Sequence, residues 1–157
     1  MTEQSIATAL AESVQEVLEK MFFIDLLDPV GDGPPPMGIA AELMFDGDPP
    51  GSFRLDLDVP AARSAAADFL GEDAEELSVE QLNEVVCELA NMICGSVLSR
   101  IESKATIRLS KPVIVSAAEQ TQGPAGTSFQ AALGSGLLRA EIRMERPVCL
   151  GIDEYES

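Results

Sequence analysis

The sequence offers few side chains for chemistry, because it contains no His and only three Cys. Without His, the Ser-His-Asp and Cys-His nucleophile systems are excluded, and so are the usual zinc sites. The pair that stands out is Glu88 and Asn91, three residues apart in a segment with helical periodicity. Side chains at this spacing are neighbours across one helical turn. The candidate chemistry is that of a carboxylate beside a neutral amide.

The helix that carries this pair is predicted to begin after Ser78 and to run to about Ser103, with no Pro inside. Ser78 and Gln81 have the spacing of a capping box, in which each side chain bonds the other residue's backbone N–H. On a helical wheel, one broad apolar face must be buried. It consists of Leu82, Val85, Val86, Leu89, Met92, Ile93 and Val97.

The opposite, outward face carries Glu84, Glu88, Asn91 and Gly95. In a helix interior Asn costs about 0.5 kcal/mol relative to Ala, and Gly costs about 1 kcal/mol. Residues that break a local rule without structural gain are expected at functional sites. The missing side chain at Gly95 lets the backbone of another molecule approach. This face is therefore a candidate binding surface, although exposed Glu and Asn and a single Gly also occur in ordinary helices.

The first part of the chain predicts a helix over residues 5–22 and a Pro- and Gly-rich loop over residues 28–36. Residues 37–46 and 52–59 then predict a hairpin with one buried face. The residues that point to that face in its second strand are Phe53, Leu55, Leu57 and Val59. Those that point away from it are Arg54, Asp56 and Asp58.

The rest of the chain predicts a short helix from Pro60 to about Leu70, the long helix, and then strands. Residues 105–117 predict two or three strands with an edge or a bend at Pro112. Residues 118–126 form a polar loop, and a second hairpin is predicted over 127–133 and 137–146. The acidic tail from about residue 151 is expected to be loose. Residues 1–157 thus predict one α+β domain, a two-layer α/β sandwich whose mostly antiparallel sheet packs against two long helices.

The charge of the chain limits its partners. Ten Lys and Arg against 27 Asp and Glu leave a formal charge of −17. Such a surface repels nucleic-acid phosphates and anionic headgroups, so neither nucleic acid nor membrane is an expected partner. It favours partners that present Lys or Arg, or it simply keeps the protein soluble. The absence of a long apolar stretch and the few Cys predict a cytoplasmic protein.

The segment from Glu88 to Gly95, ELANMICG, closely resembles the ExxN-containing helix of the CheC/CheX/FliY phosphatases, and that of CheX in particular. Residues 14–23, VQEVLEKMFF, resemble the opening helix of CheX-like domains. Residues 111–114, KPVI, are similar to a Pro-containing strand that follows the motif helix in this family. The resemblance therefore extends over essentially the whole chain.

This resemblance implies a phosphatase that acts on a phosphorylated CheY-like response regulator. Asn91 would hold a water in line with the phosphoryl group, and Glu88 would pair with the active-site Lys of the receiver. Glu84 and Gly95 would contribute to partner binding. The chain would need no cofactor of its own, because Mg²⁺ would be carried by the receiver. The resemblance also implies a homodimer, with a sheet-edge contact near Pro112 or in the last hairpin.

The sequence departs from the family pattern in three places. Some relatives repeat the motif on the first helix, where this chain has only Glu12 and Gln15. The longer Gln would misplace a water by about an ångström, and such shifts cost on the order of a hundredfold, so one site is expected. Relatives often have a second Asn where this chain has Ser96, and Asp or Ser where it has Glu84. Both changes bear on activity or on partner choice.

Other candidate groups have simpler explanations. Cys87 and Cys94 lie on one flank of the helix, two turns apart, where a disulfide is difficult to form. Both are interpreted as small packing residues. Arg100, Lys104 and Lys111 either form a basic spot after the helix or favour the helix C-terminus.

Two other functions remain open from the sequence. The chain is either the phosphatase or a non-catalytic CheX-like module that docks a receiver or the flagellar switch. The Glu88 and Asn91 pair favours the phosphatase, because a docking surface alone does not need a water-orienting amide. An acidic dimeric chaperone or adaptor would fit the charge and size but leaves the ExxN helix unexplained.

Overall fold

The computed structural model describes residues 3–21, 26–29, 36, 38–46, 50–101, 108–116, 126–133 and 136–144. Most of the predicted loops over 28–36 and 118–126 lie outside these ranges, as do Lys104 and the acidic tail.

The helices are α1 (Glu3–Met21), α2 (Val59–Leu70) and α3 (Val79–Ile101), with a 3-10 turn at Ala74–Glu76. The strands are β1 (Leu26–Pro29), β2 (Ile39–Asp46), β3 (Gly51–Leu57), β4 (Arg108–Leu109), β5 (Val113–Val115), β6 (Thr127–Leu133) and β7 (Gly136–Met144).

The seven described strands form one sheet in which every pairing is antiparallel. The strand order is β1-β6-β7-β3-β2-β4, and β5 also pairs with β2. Both predicted hairpins are present, as β2–β3 and β6–β7. The short strand β1 was not predicted, since it overlaps the segment interpreted as a loop. The predicted α+β fold with a mostly antiparallel sheet is confirmed.

The helices form a layer over the sheet. Helix α3 packs on β2 and β3, α1 packs on α3 and β6, and α2 packs on α3 and β7. Apolar side chains at alternating strand positions face this layer, as a half-buried sheet requires. The fully buried large side chains are Leu10, Leu18, Phe53, Leu55, Leu57, Leu89, Ile93 and Leu138, among others. The core is therefore aliphatic, as expected from a composition with few aromatic residues.

The end of the first hairpin differs from the prediction. Val59 does not continue β3 but begins α2, and its side chain is 43% exposed. The reason is Asp58, whose side chain accepts a hydrogen bond from the backbone N–H of Ala61 and so caps the helix. Pro60 in the first turn fits the same start, since its fixed φ is helical and its missing N–H would be unpaired there.

The outer face of the sheet is less open to solvent than predicted. Asp56 is only 2% exposed and Glu141 only 7%. Arg54 donates to both carboxylate oxygens of Asp56, at 2.8 and 3.1 Å. Arg143 approaches Glu141 at 3.4 Å. Alternation alone could not predict this, because the burial comes from charge pairing between neighbouring side chains on one face.

The position of the last hairpin narrows the expected dimer contact. Strand β7 pairs with β3 on one side and β6 on the other, and β6 also pairs with β1. The hairpin therefore lies inside the sheet. The sequence suggested two places for a sheet-edge contact. Only the one near Pro112 lies at an edge of the described sheet, where β4 and β5 pair with β2.

Asp58 also joins α2 to the second hairpin. Its other carboxylate oxygen accepts from the backbone N–H of Leu137 at 2.9 Å, and its own N–H donates to the Leu137 carbonyl at 3.1 Å. Gly136 leaves room for this carboxylate, because a Cβ there would collide with it. One side chain thus satisfies two backbone donors from distant parts of the chain.

We predict that Asp58→Ala lowers the free energy of unfolding by about 2–3 kcal/mol, since it removes a helix cap and a second hydrogen bond. Asp58→Asn can still cap the helix through its carbonyl oxygen but loses the acceptor for Leu137, so we expect a loss of about 1 kcal/mol. Urea unfolding of the three proteins measures both values. Equal stability of Asp58→Ala and the wild type would contradict this role.

Candidate functional site

Helix α3 begins with the predicted capping box. The backbone N–H of Gln81 donates to Ser78 Oγ at 3.2 Å, and the backbone N–H of Ser78 donates to Gln81 Oε1 at 2.9 Å. These reciprocal bonds satisfy donors that a helix start leaves unpaired. The capping box thus fixes where α3 starts and the position of every later residue along it.

The two faces of α3 are divided as predicted, with small differences. Every residue predicted for the inner face is buried except Met92, which is half-buried. Glu84 and Glu88 are exposed, and Asn91 and Gly95 are half-buried. The inner face is broader than predicted, because it also contains the fully or nearly fully buried Ala90, Cys94 and Leu98.

A groove of about 1030 Å³ runs beside α3 and contains most of the predicted site. Glu84, Glu88 and Asn91 line it from α3. The end of α2 contributes the side chains of Phe69 and Leu70. The remaining lining residues are Asn83, Val85 and Cys87 from α3 and Leu109, Ser110, Lys111, Pro112, Val113 and Ile114 from the β4–β5 segment. The structure therefore brings the carboxylates and the amide together in one concave surface.

The rim of this groove is apolar and exposed. Phe69 and Leu70 from α2 are 37% and 39% exposed, and Val113 and Ile114 from β5 are 54% and 41% exposed. Apolar side chains around a groove with a few convergent polar groups are typical of binding sites. The groove thus combines apolar area for affinity with polar groups that can orient what binds.

Gly95 lies one helical turn beyond Asn91, outside the lining of the groove. A Cβ built at Gly95 would have Leu109 Cδ1 as its nearest neighbour, at 3.9 Å, which is ordinary van der Waals contact. The fold therefore does not require Gly at this position. No contact in the described part of the protein therefore accounts for the missing side chain.

The corresponding residues of α1 are occupied by contacts within the protein. Glu12 Oε1 accepts from Arg100 at 3.3 Å, and Gln15 Nε2 donates to Glu19 at 3.3 Å. Arg100 also contacts Glu16 at 2.9 Å, so it links the end of α3 to the second half of α1. The hydrogen bonds from Lys20 and Arg100 lower the pKa of Glu16.

The suggested basic spot is divided by the fold. Arg100 turns toward α1, whereas Lys111 lines the groove beside α3. The two cations therefore serve different surfaces, and Lys104 lies outside the described residues.

The two cysteines of α3 occupy different environments. Cys94 is fully buried, and burial raises the pKa of its thiol to about 12. Cys87 is half-buried at the groove, where burial raises the pKa of its thiol and the charge of Lys111 partly opposes that effect. A thiol with a raised pKa is a poor nucleophile, so both residues fit the packing role.

The walls of the groove could not be identified from the sequence. Phe69, Leu70 and Asn83 were not singled out, and Lys111 was considered only as part of a basic spot and of the KPVI segment. Exposed Phe and Leu at the end of a short helix were a signal that could have been used. Their proximity to α3, however, depends on the tertiary packing of α2 and of the β4–β5 segment.

The groups in the groove can orient and polarise a bound molecule. A neutral amide both donates and accepts hydrogen bonds, so Asn91 can orient a water molecule. A carboxylate such as Glu88 can pair with a cation on a bound partner. Among the residues that the structure describes, no group of three or more His, Cys, Asp or Glu side chains could hold a metal ion. None of the described helices has the length and hydropathy needed to cross a membrane.

Solved structures share this fold over nearly the whole chain. The chemotaxis protein CheX from Vibrio vulnificus is 21% identical, with a TM-score of 0.70 over 92% of this chain and 99% of that one. A CheC-like protein from Shewanella oneidensis is 17% identical, with a TM-score of 0.71 over 92% of this chain and 100% of that one. CheX in the CheX-CheY-BeF3-Mg²⁺ complex from Borrelia burgdorferi is 16% identical, with a TM-score of 0.67 over 88% of this chain and 97% of that one.

The sequence itself supports the family assignment. No curated protein matches the chain. The family described as chemotaxis phosphatase CheX matches residues 39–130, which is more than half of the chain and includes all of α3. The resemblance inferred from the ELANMICG segment is thereby confirmed. The chain belongs to the chemotaxis phosphatase CheX family.

Proposed function

We propose that this protein removes the phosphoryl group from a phosphorylated CheY-like response regulator. The observation that carries the proposal is the groove in which Asn91 and Glu88 lie side by side within an exposed apolar rim. Membership of the CheX family and the complex of a structural relative with CheY, BeF3 and Mg²⁺ support the same substrate. The acidic surface favours a partner with basic groups near its active site.

In the proposed reaction, Asn91 holds a water molecule in line with the phosphorus atom. The water oxygen bonds to phosphorus while the bond to the receiver's aspartyl oxygen breaks. The products are inorganic phosphate, which leaves as H2PO4⁻ with both protons of the water, and a free Asp carboxylate. Phosphoryl transfer depends mostly on positioning and electrostatic stabilisation, so a single amide on a rigid helix can suffice.

Glu88 has the complementary role of docking the receiver. Its carboxylate is exposed in the groove and has no hydrogen-bond or ion-pair partner among the described residues. In the complex it would pair with the active-site Lys of the receiver and so set the distance between Asn91 and the phosphoryl group. Mg²⁺ would belong to the receiver and neutralise the charge on the phosphoryl oxygens.

Glu84 and Gly95 extend the docking surface in opposite directions along α3. Glu84 adds a second carboxylate to the groove one turn before Glu88. Gly95 provides a flat position one turn after Asn91, where the partner's backbone can approach. A homodimer through the β4–β5 edge remains part of the proposal, because backbone groups at a sheet edge can pair with a second chain.

We expect Asn91→Ala to lower kcat by about a hundredfold or more, because removal of one preorganised polar group at a transition state has effects of this size. We expect Glu88→Ala to raise KM about tenfold, because it removes a charge pair from the docked complex. Phosphate release from phosphorylated receivers of the host, with Mg²⁺, measures both constants. Glu19→Ala, which removes an exposed carboxylate from α1, is the control and should behave as the wild type.

This experiment also separates the proposal from the non-catalytic alternative. If the wild type binds a receiver without accelerating phosphate loss, the protein is a docking module. If Asn91→Ala is as active as the wild type, the proposed role of the amide is wrong even though the protein is a phosphatase.

We predict that Gly95→Ala stabilises the fold but weakens receiver binding. Ala raises helix propensity by about 1 kcal/mol over Gly, and the added methyl group meets only Leu109, at 3.9 Å. Urea unfolding should show the gain in stability, while receiver affinity should fall. An unchanged affinity would show that the partner does not approach α3 at this position.

A further inference from the structure

The groove beside α3 has opposite charges on its two walls. Glu84 and Glu88 lie on the α3 wall, and Lys111 lies on the wall formed by the β4–β5 segment. The apolar side chains of the rim are Phe69 and Leu70 from α2 and Val113 and Ile114, which follow Lys111 in the β4–β5 segment. A partner that fills the groove therefore meets acidic side chains on α3 and a basic one on the β4–β5 segment.

The backbone on either side of Lys111 is held in place. The N–H of Ser110 donates to the Met44 carbonyl at 2.8 Å, and the N–H of Met44 donates to Ser110 Oγ at 2.8 Å. Pro112 follows, and a residue before Pro is restricted to extended conformations. Lys111 is thus fixed to the edge of β2 on one side and restricted by Pro on the other. Its charge is presented to the groove from a preorganised backbone.

Lys111 is exposed and forms no ion pair with any residue in the described part of the chain. Of the seven other described cations, five form ion pairs, namely Lys20, Arg54, Arg100, Arg139 and Arg143. Arg63 donates to the Ala74 carbonyl instead, and neither Arg63 nor Arg108 lines the groove, so Lys111 is the unpaired described cation that does. In a protein with a formal charge of −17, a cation left available in an acidic groove points to a group outside the chain. The influence of Lys111 on the Cys87 thiol indicates that its charge is felt at the α3 wall.

We propose that Lys111 selects the partner by pairing with a carboxylate on the docking surface of the receiver. This inference rests on the proposed function and deepens it. The partner presents a basic group to Glu84 and Glu88, an apolar side chain to the rim, and an acidic side chain to Lys111. Reversing the partner in the groove would place like charges opposite each other, so the charge pattern sets orientation as well as choice.

The test compares Lys111→Glu and Lys111→Gln with Lys20→Glu, a matched control. Lys20→Glu makes the same change in net charge, but its side chain is 71% exposed on α1. The probe is a CheY-like receiver of the host, measured both loaded with beryllium fluoride and Mg²⁺ and unloaded. We expect Lys111→Glu to weaken binding about tenfold at low salt and Lys111→Gln to weaken it less. At high salt, both variants should bind as the wild type does, because salt screens the charges. Lys20→Glu should change affinity less than twofold.

Turnover adds a second readout. A docking role predicts a raised KM with an unchanged kcat for Lys111→Glu, because the reacting atoms are not touched. Exchanging an acidic residue on the receiver for Lys should restore binding to Lys111→Glu while weakening binding to the wild type. Urea unfolding of the Lys111 variants should match that of the wild type, which excludes a fold defect.

Three outcomes would overturn the inference. If Lys111→Glu weakens binding no more than Lys20→Glu does, Lys111 does not select the partner by its charge. If the effect occurs only with the loaded receiver and not with the unloaded one, Lys111 contacts the phosphoryl group rather than a carboxylate. If no receiver of the host binds the wild type, both this inference and the proposed function are wrong. Binding with no phosphatase activity would overturn the proposed enzyme alone, since the docking readout does not need turnover.

Discussion

Leu89 and Ala90 lie between Glu88 and Asn91 in the sequence, and both are fully buried. Because they pack into the core, α3 cannot rotate about its axis without exposing apolar side chains and forcing the carboxylate or the amide inward. Exposing one large aliphatic side chain costs about 1.5–3 kcal/mol, which is several times the helix penalty of an Asn. The packing of the inner face thus determines where the polar pair points. The groove, the docking surface and the proposed chemistry all depend on that direction.

The outward face tolerates unfavourable residues for the same reason. Asn91 and Gly95 together weaken the helix by about 1.5 kcal/mol relative to Ala. That cost is small beside the burial of nine residues on the inner face of α3 and the capping box at its start. The inner face supplies stability, so the outer face is free to carry groups chosen for another molecule. Rigidity also serves the proposed mechanism, since a water-orienting amide must not move relative to the docked partner.

The parts of the fold that could be predicted are those with a strong local signal. Periodicity identified α1, α3 and both hairpins, and the spacing of Ser78 and Gln81 identified the start of α3. Strand β1 was missed because four residues carry too little pattern. Val59 was misplaced because Asp58 was interpreted as an outward strand residue, whereas it caps α2 and binds the second hairpin. The burial of Asp56 was missed because it depends on an ion pair with Arg54 on the outer face, which the alternation of apolar residues does not predict.

The site could be predicted only as far as α3 extends. Glu84, Glu88, Asn91 and Gly95 follow from one helical wheel, since they share an element. The facing wall comes from α2 and the β4–β5 segment, and local sequence does not say which elements meet α3. Lys111 was therefore considered with Arg100, a neighbour in sequence, rather than with Glu88, which lines the same groove.

If the Asn91 amide orients the attacking water, an isosteric substitution at this position should abolish turnover. Asn91→Asp keeps the shape of the side chain but replaces the amide donor with a negative charge that repels the phosphoryl group. The measurement is the single-turnover rate of phosphate loss from a phosphorylated receiver saturated with this variant. We expect the complex to form but to lose phosphate no faster than the free receiver. A rate close to that of the wild type at saturation would show that the amide does not orient the water.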